Sequence, residues 1–402
     1  MNILFLTLVN IDSIYESGVT VDLIRQLDKL GNNVYVISPL ERRMGKKTYC
    51  VKESNTRILR LRTGNVFKTN VIEKGITTVL IELQYKNAIK KNFKHISFDL
   101  IVYGTPPITL VGAIKYAKMR DNAKTYLVLK DIFPQNAVDI GMMKKTGVKG
   151  ILYKYFRRKE RELYRISDRI GCMSNANVKY LLNNNRFLNS NDVEILPNSI
   201  ELSDKSVDGI TRDKIRKKYD IPLEKKVFLY GGNLGKPQGI PFLIECLSAC
   251  RDLDKIYFLI IGNGTEYHLL KQYTGEANQD NVRIFNMMPK EDYLSVVGAC
   301  DVGLIFLDYR FTIPNYPSRL LSYMQARLPV LACTDSNTDI GDTIVNGDFG
   351  WWCESNDVRG FVECVNEATG SDLKQLGDNA YKYLEEHYDV RDAARTILNM
   401  SQ

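Results

Sequence analysis

The chain has 402 residues, 44% apolar and 25% charged, ordinary globular values that exclude collagen-like, disordered and membrane-spanning classes; at roughly 150 residues per domain, two or three domains are expected. Fifty-five Lys and Arg against forty-seven Asp and Glu leave a formal charge of +8, which admits nucleic acid, an anionic membrane or an anionic small ligand as partner. Eight Cys without a Cys-x-x-Cys pair and three scattered His (His95, His268, His387) predict neither a zinc site nor a disulfide framework, and so a reducing compartment.

The opening Met1 to Val9 is apolar but short, lacks a basic leader and runs into Asn10, Asp12 and Glu16, so it reads as a strand rather than a signal. No apolar run approaches the roughly 18 residues of a spanning helix. A cytoplasmic protein is expected, with any membrane contact peripheral. Asn2 to Thr7 leads through a glycine-bearing loop, Glu16-Ser17-Gly18, into the amphipathic Val19 to Leu30, stopped by Gly31, and Val34 to Ser38 returns as a strand. Asp99 to Gly104, Thr125 to Leu129 and Val193 to Leu196 continue as strands, with a helix over Thr109 to Met119. This alternation predicts parallel α/β units.

Just past the strand Thr125 to Leu129 stands Lys130-Asp131-Ile132-Phe133-Pro134. A lysine and a carboxylate at the carboxyl end of a parallel strand are candidates for positioning or proton transfer, or else a structural pair bonding to the backbone. From Lys144 to Arg169 ten basic residues face three acidic ones, so most of the chain's excess charge is local. Lys154, Arg158, Arg161 and Arg165 fall on one helical stripe, with Arg157 beside it, while Ile151, Leu152, Tyr155, Phe156 and Leu163 supply apolar faces. An anionic membrane surface suits this helix, at about 1 kcal/mol per basic residue near the lipid. The alternative is a solvated helix with its apolar side in the core. No aromatic-and-basic module stands beside it, so nucleic acid is not expected.

Ser199 to Thr211 is polar and poorly periodic and reads as a linker. A second series then repeats the design. Val227 to Tyr230, Ile256 to Ile261, Val282 to Phe285, Val302 to Phe306 and Val330 to Ala332 are strands, with a helix over Ile240 to Cys250 and a helical tail over Asp372 to Met400. Predicted boundaries are 1–198, a linker 199–211, 212–385, and a tail helix 386–402 that packs back on the first half. The fold class is α/β, two Rossmann-like doubly wound domains facing across a cleft lined by strand carboxyl ends.

In the second half, Gly231 to Gly239 holds four glycines directly after a strand, with Lys236 available for negative charge. Gly262-Asn263-Gly264 follows the next strand and opens a helix, the arrangement of an anion loop or of a plain tight turn. Neither a full Gly-x-Gly-x-x-Gly after a strand nor a Walker A spacing occurs, which leaves nicotinamide, flavin and P-loop chemistry without support. Pro317-Ser318-Arg319 begins a helix, so Ser318 is expected to cap it and Arg319 to meet an anion. Asp252-Leu253-Asp254 precedes a strand, at the wrong end of the sheet for chemistry, and reads as a solvated turn.

Taken together, Asn2 to Gly31, Lys130 to Gln135, Leu196 to Ile200, Gly232 to Gly239, Ile260 to Gly264, Cys300 to Leu304 and Pro317 to Ala332 resemble the GT-B-fold glycosyltransferases of family 4, particularly those of bacterial capsule and O-antigen synthesis. The resemblance implies a nucleotide-sugar donor, UDP-linked, bound by the second domain, and a lipid-linked acceptor (a polyprenyl diphosphate) bound by the first, with retention of anomeric configuration and no metal. It implies donor contacts by Gly232, Asn233, Lys236, Gln238, Gly262, Asn263, Gly264, Met287, Met288, Ser318, Arg319 and Ser322, acceptor contacts by Glu16, Ser17 and Gly18, and chemistry at Asp131 and Lys130. The family's paired glutamates are replaced by Pro314 and Ser322, and the basic pair on the first loop by Asn233 and Gln238. A non-catalytic membrane partner of the same fold and a nucleotide-sugar epimerase are therefore the alternatives. Arg327 stands where a glycine usually ends the helix; a left-handed non-glycine cap costs roughly 1–2 kcal/mol, so a differently built helix end is expected.

Overall fold

The computed structural model describes residues 1–65, 71–277 and 279–400. The chain divides into two compact units, Met1–Glu201 with Asp389–Gln402, and Leu202–Tyr388.

The first unit is built on an eight-stranded sheet: β1 (Asn2–Leu6), β2 (Asn33–Glu41), β3 (Tyr49–Glu53), β4 (Thr56–Thr63), β5 (Leu100–Gly104), β6 (Lys124–Leu129), β7 (Arg169–Cys172) and β8 (Val193–Ile195), in the order β3-β4-β2-β1-β5-β6-β7-β8. Pairing is parallel except for the antiparallel edge hairpin β3–β4. The central strands are buried on both faces, which is why they read as unbroken apolar runs: Ile3, Leu4, Leu6, Ile101 and Val102 are fully covered. Strand order reverses between β1 and β5, and in such sheets the loops at the carboxyl ends of the two diverging strands form the binding crevice. Those loops start at Thr7 and Thr105, with the loop after β6 next to them.

The second unit holds six parallel strands, β9 (Lys226–Asn233), β10 (Ile256–Asn263), β11 (Val282–Phe285), β12 (Val302–Phe306), β13 (Val330–Thr334) and β14 (Gly350–Glu354), in the order β11-β10-β9-β12-β13-β14. Its reversal lies between β9 and β12. The glycine loop after β9 and the segment leading to Arg319 after β12 thus emerge at the equivalent point of this sheet.

Four strands were not expected from the sequence: β3, β4, β7 and β14. Each is short, or carries charge or glycine inside it, as in Arg-Ile-Gly-Cys and Gly-Trp-Trp-Cys-Glu. The C-terminal tail is two helices, Leu373–His387 and Val390–Asn399, because Asp389 leaves the helical path and caps the second by accepting from Arg391 N at 2.8 Å. The second of them packs on the helix Val19–Lys29 within the first unit. Arg327 does adopt the left-handed conformation, φ 53°, contrary to the expected rebuilt cap. Its guanidinium pairs with Asp204 at 2.8 Å and Asp378 at 2.7 Å and lies over the Tyr381 ring, contacts that a glycine could not make and that offset the backbone cost.

Candidate active site

In the first unit, Thr105 follows β5 directly and is buried. Its Oγ1 accepts from the amides of both Lys130 (3.0 Å) and Asp131 (3.1 Å), fixing the chain as it leaves β6. Lys130 Nζ lies 3.5 Å from Thr20 Oγ1, just beyond Gly18, and Asp131 Oδ1 accepts from Asn136 Nδ2 at 2.7 Å. Both charged groups are half-buried. Burial pushes Asp131 up to about 6, against the Asn136 hydrogen bond, and lowers Lys130 to about 8. A carboxylate near neutrality can accept a proton or orient a hydroxyl, so of the two readings of this pair the chemical one gains a physical basis.

Glu16, Ser17 and Gly18 are exposed in the loop that precedes the helix Val19–Lys29. The conformation of this loop is set from outside it. Arg25 donates to the carbonyls of Ile14 (2.5 Å) and Glu16 (2.9 Å). Glu53 of β3 accepts from Ile14 N (2.7 Å) and Ser13 Oγ (2.9 Å). Arg60 of β4, fully buried, donates to Ile11 O (2.5 Å) and Ser38 Oγ (2.9 Å), bonds Asn10 and pairs with Asp12 at 3.2 Å. Sequence reasoning missed these three positioning residues; the available signal was a basic residue between Leu59 and Leu61 inside a strand.

In the second unit, Gly231 and Gly232 end β9 beneath Arg319. Gly232 has φ 128°, and a Cβ there would lie 3.3 Å from Arg319 Nη2. The Arg319 Cζ stands 4.5 Å over the Tyr230 ring, and its Nη1 is buried with no hydrogen-bond partner. A buried, unpaired guanidinium N–H costs free energy until an acceptor meets it, which is the demand an anionic ligand satisfies. Ser318 is exposed at the helix start but its side chain makes no capping bond, contrary to expectation, because its backbone is already helical at φ −65° and ψ −13°. Ser322 is half-buried one turn on.

Two expected donor contacts have local work instead. Gln238 is buried, and its Oε1 accepts from Asn233 Nδ2 (2.7 Å) and Gly235 N (3.2 Å), so Asn233 and Gln238 brace the loop. Lys236 is exposed. A Cβ on Gly262 would fall 1.8 Å from Gly232 O, and one on Gly264 2.2 Å from Leu234 O. Those glycines therefore let the ends of β9 and β10 and the residues just past them touch backbone to backbone. Asn263 Nδ2 donates to Asn286 Oδ1 at 2.8 Å, which also accepts from Met287 N; Met287 is exposed and Met288 half-buried beside it. Asp252 and Asp254 lie exposed in the turn before β10.

The basic helix runs over Gly147–Ile166. Lys154, Arg158, Arg161 and Arg165 are exposed along it, with Ile151, Leu152 and Tyr155 also exposed near its start. Its core side holds Leu163, and Phe156 packs edge-on against Phe133 at 5.0 Å, tying the helix to the Lys130–Pro134 segment. Arg161 and Arg165 stack on the Phe187 ring at 5.6 and 4.5 Å. A groove of about 420 Å³ follows this face. Arg157 departs from the expected role: it turns inward to pair with the buried Glu160 and to donate to Asn184 O (3.1 Å) and Asn185 Oδ1 (2.9 Å).

Residues 211–383 match the family described as Glycosyl transferases group 1. The chain is 26% identical over 331 residues to a probable glycosyltransferase, WbjE, of Pseudomonas aeruginosa, a match covering 80% of this chain and 78% of the relative. It is 21% identical over 312 residues, 75% of this chain and 73% of the relative, to the putative colanic acid biosynthesis glycosyl transferase WcaI of Escherichia coli (strain K12). Among solved structures it is similar to Anabaena Alr3699/HepE in complex with UDP, with a TM-score of 0.70 at 13% identity, covering 100% of this chain and 99% of that one.

Proposed function

We propose that this chain, a GT-B-fold glycosyltransferase carrying a group 1 domain over residues 211–383, transfers a sugar from a UDP-linked donor to a lipid-linked acceptor in surface polysaccharide biosynthesis, with retention of anomeric configuration and without a metal. The observation that carries this reading is Arg319, whose buried Nη1 lacks an acceptor beside a glycine loop. In the transfer, the bond between the anomeric carbon and the diphosphate oxygen breaks, and negative charge collects on the departing nucleoside diphosphate. Arg319 and the amides of the Gly232 loop stabilise that charge, with Lys236 nearby in solvent; donors fixed in advance lower the barrier because they need not reorganise. Asp131 orients or deprotonates the acceptor hydroxyl, and Glu16, Ser17 and Gly18 shape the acceptor side. A UDP complex of a protein of like fold and the colanic acid relative support the donor and pathway class.

The setting in this proposal is the cytoplasmic face of a membrane. Among the described residues no helix is long and apolar enough to cross one, and the exposed Ile151, Leu152, Lys154, Arg158, Arg161 and Arg165 suit an anionic lipid surface. Pro314 and Ser322 motivate a second reading, a non-catalytic partner that keeps the fold. Calorimetry with UDP and single-turnover assays with UDP-sugars separate the two. Arg319→Ala is expected to weaken UDP binding at least tenfold and to slow transfer by 10²-fold or more, on the order of losing one oxyanion donor. Absence of UDP binding by the wild type would favour the non-catalytic reading; wild-type UDP affinity in Arg319→Ala would remove this site assignment.

A further inference from the structure

We infer, on the donor-site reading above, that Tyr230 and Tyr293 are positioning residues that hold the Arg319 guanidinium against the glycine loop without neutralising it, leaving its full charge for the donor's diphosphate. A half-buried arginine whose Nη1 is shut off from water is commonly held by a carboxylate, which fixes its direction and cancels much of its field. Arg319 makes no such ion pair among the described residues; the Tyr230 ring faces it and the Tyr230 hydroxyl hydrogen-bonds it, with the Tyr293 and Tyr323 phenols near enough to act on its charge.

The construction is specific. Tyr230 is fully buried, its ring lies under the guanidinium at 4.5 Å, and its hydroxyl donates to Asn233 O at 2.7 Å. One side chain thus joins the cation to the loop that would cradle phosphate. Tyr293 stands where a Cβ on Gly231 would meet its hydroxyl at 2.0 Å, so only glycine lets the ring in. Tyr323 braces the end of β9 from the helix that Arg319 opens. Its hydroxyl accepts from Gly231 N (3.2 Å) and lies 3.1–3.2 Å from the carbonyls of Leu304 and Leu229, while its ring occupies the space that Gly303 leaves open. Burial raises all three hydroxyls, Tyr293 to about 12, so they stay neutral phenols and add no competing anion. A ring face attracts a cation without carrying net charge. Tyr230 so fixes the direction of Arg319, and Nη1 is left unanswered.

The test is a double-mutant cycle read as UDP affinity by calorimetry, with thermal melts as a folding control. Tyr230→Leu is expected to weaken UDP binding about tenfold, Tyr293→Leu about threefold, and Tyr230→Phe, which keeps the ring, less than threefold. In an Arg319→Ala background both leucine changes should lose their effect, because they act through the arginine. Should Tyr230→Leu fail to fold, Tyr293→Leu carries the cycle, with Tyr230→Phe as the ring-retaining control. Losses that add fully to that of Arg319→Ala, or tyrosine variants that bind UDP like the wild type, would overturn the inference while leaving Arg319 in the donor site. Wild-type UDP binding by Arg319→Ala alone would instead overturn the donor-site reading itself.

Discussion

Asp131 with Lys130 follow β6 in the first unit, one strand from the reversal between β1 and β5, and Arg319 follows β12 in the second, a strand at the reversal of its own sheet; burial acts on the two in opposite ways. The first pair answers burial by titrating: the carboxyl rises to about 6 and the ammonium falls to about 8, so both exchange protons near neutral pH. Arginine has no such outlet, since its guanidinium stays protonated. It keeps its charge and lies over the Tyr230 ring, with Nη1 left for a ligand. The same physical cost produces a proton-exchanging site in one unit and a fixed-charge site in the other.

The sharpest way to break this contrast is Asp131→Asn. Asparagine can still accept from Asn136, so the loop is preserved while proton chemistry is removed. We expect kcat to fall by about 10²–10⁴-fold. In the wild type, kcat/KM should decline as pH drops below about 6, where the carboxyl protonates, and the variant should lose that limb. Stability gives an independent check. Because the folded pKa lies above the usual aspartate value, the ionised form destabilises the fold as pH rises through about 6. Asp131→Asn should therefore melt higher at pH 7.5, with the gain shrinking towards pH 4. Wild-type turnover and an unchanged acid limb would show that Asp131 is merely structural.

A smaller effect is expected at the basic helix, where adjacent arginines differ as the two sites do. Arg158 faces outward with a surface partner in Glu162, whereas Arg157 faces inward to the buried Glu160. Reversing the charge of Lys154, Arg158, Arg161 and Arg165 should weaken binding to vesicles containing anionic lipid by 10²-fold or more at low salt, taking about 1 kcal/mol per basic residue, with the melting temperature little changed. Arg157→Ala should do the opposite, lowering the melting temperature through the unpaired Glu160 while vesicle binding persists. Equal sedimentation of the four-charge variant and the wild type would return the helix to an ordinary solvated face.

The alternation of apolar runs and helical patterns was enough to place the central strands of both sheets, because strands buried on both faces advertise themselves. It also drew attention to Lys130 and Asp131, which follow a strand directly, and to Arg319, which opens a helix. What it could not show was how those groups are held. Thr105 supports the Lys130–Asp131 segment from the end of a neighbouring strand, and Tyr293 packs against Gly231, beside the Arg319 site, from a helix well away in sequence. Asn233 and Gln238 look like ligand contacts in a glycine-rich loop, but their hydrogen bonds turn inward to each other. A motif reveals that backbone is shaped; only the fold reveals whether its polar side chains are already spent.

The smallest predicted effect probes the hairpin that the strand pattern concealed. Glu53 reaches the loop after β1 from the edge strand and accepts from Ile14 N and Ser13 Oγ, holding Glu16 to Gly18 in place from several residues away. Glu53→Ala removes the one oxygen that accepts both bonds, leaving the Ile14 amide to water or to a new loop conformation, at a cost of about 1–3 kcal/mol if it stays buried. Because Arg25 and Arg60 still grip the same loop, it should loosen rather than collapse. We therefore expect a threefold to tenfold rise in KM for the acceptor with UDP affinity unchanged. A matching loss of UDP affinity would mean that the variant disturbs both units, and that proton exchange and charge holding are not divided between them as the burial of their charged groups implies.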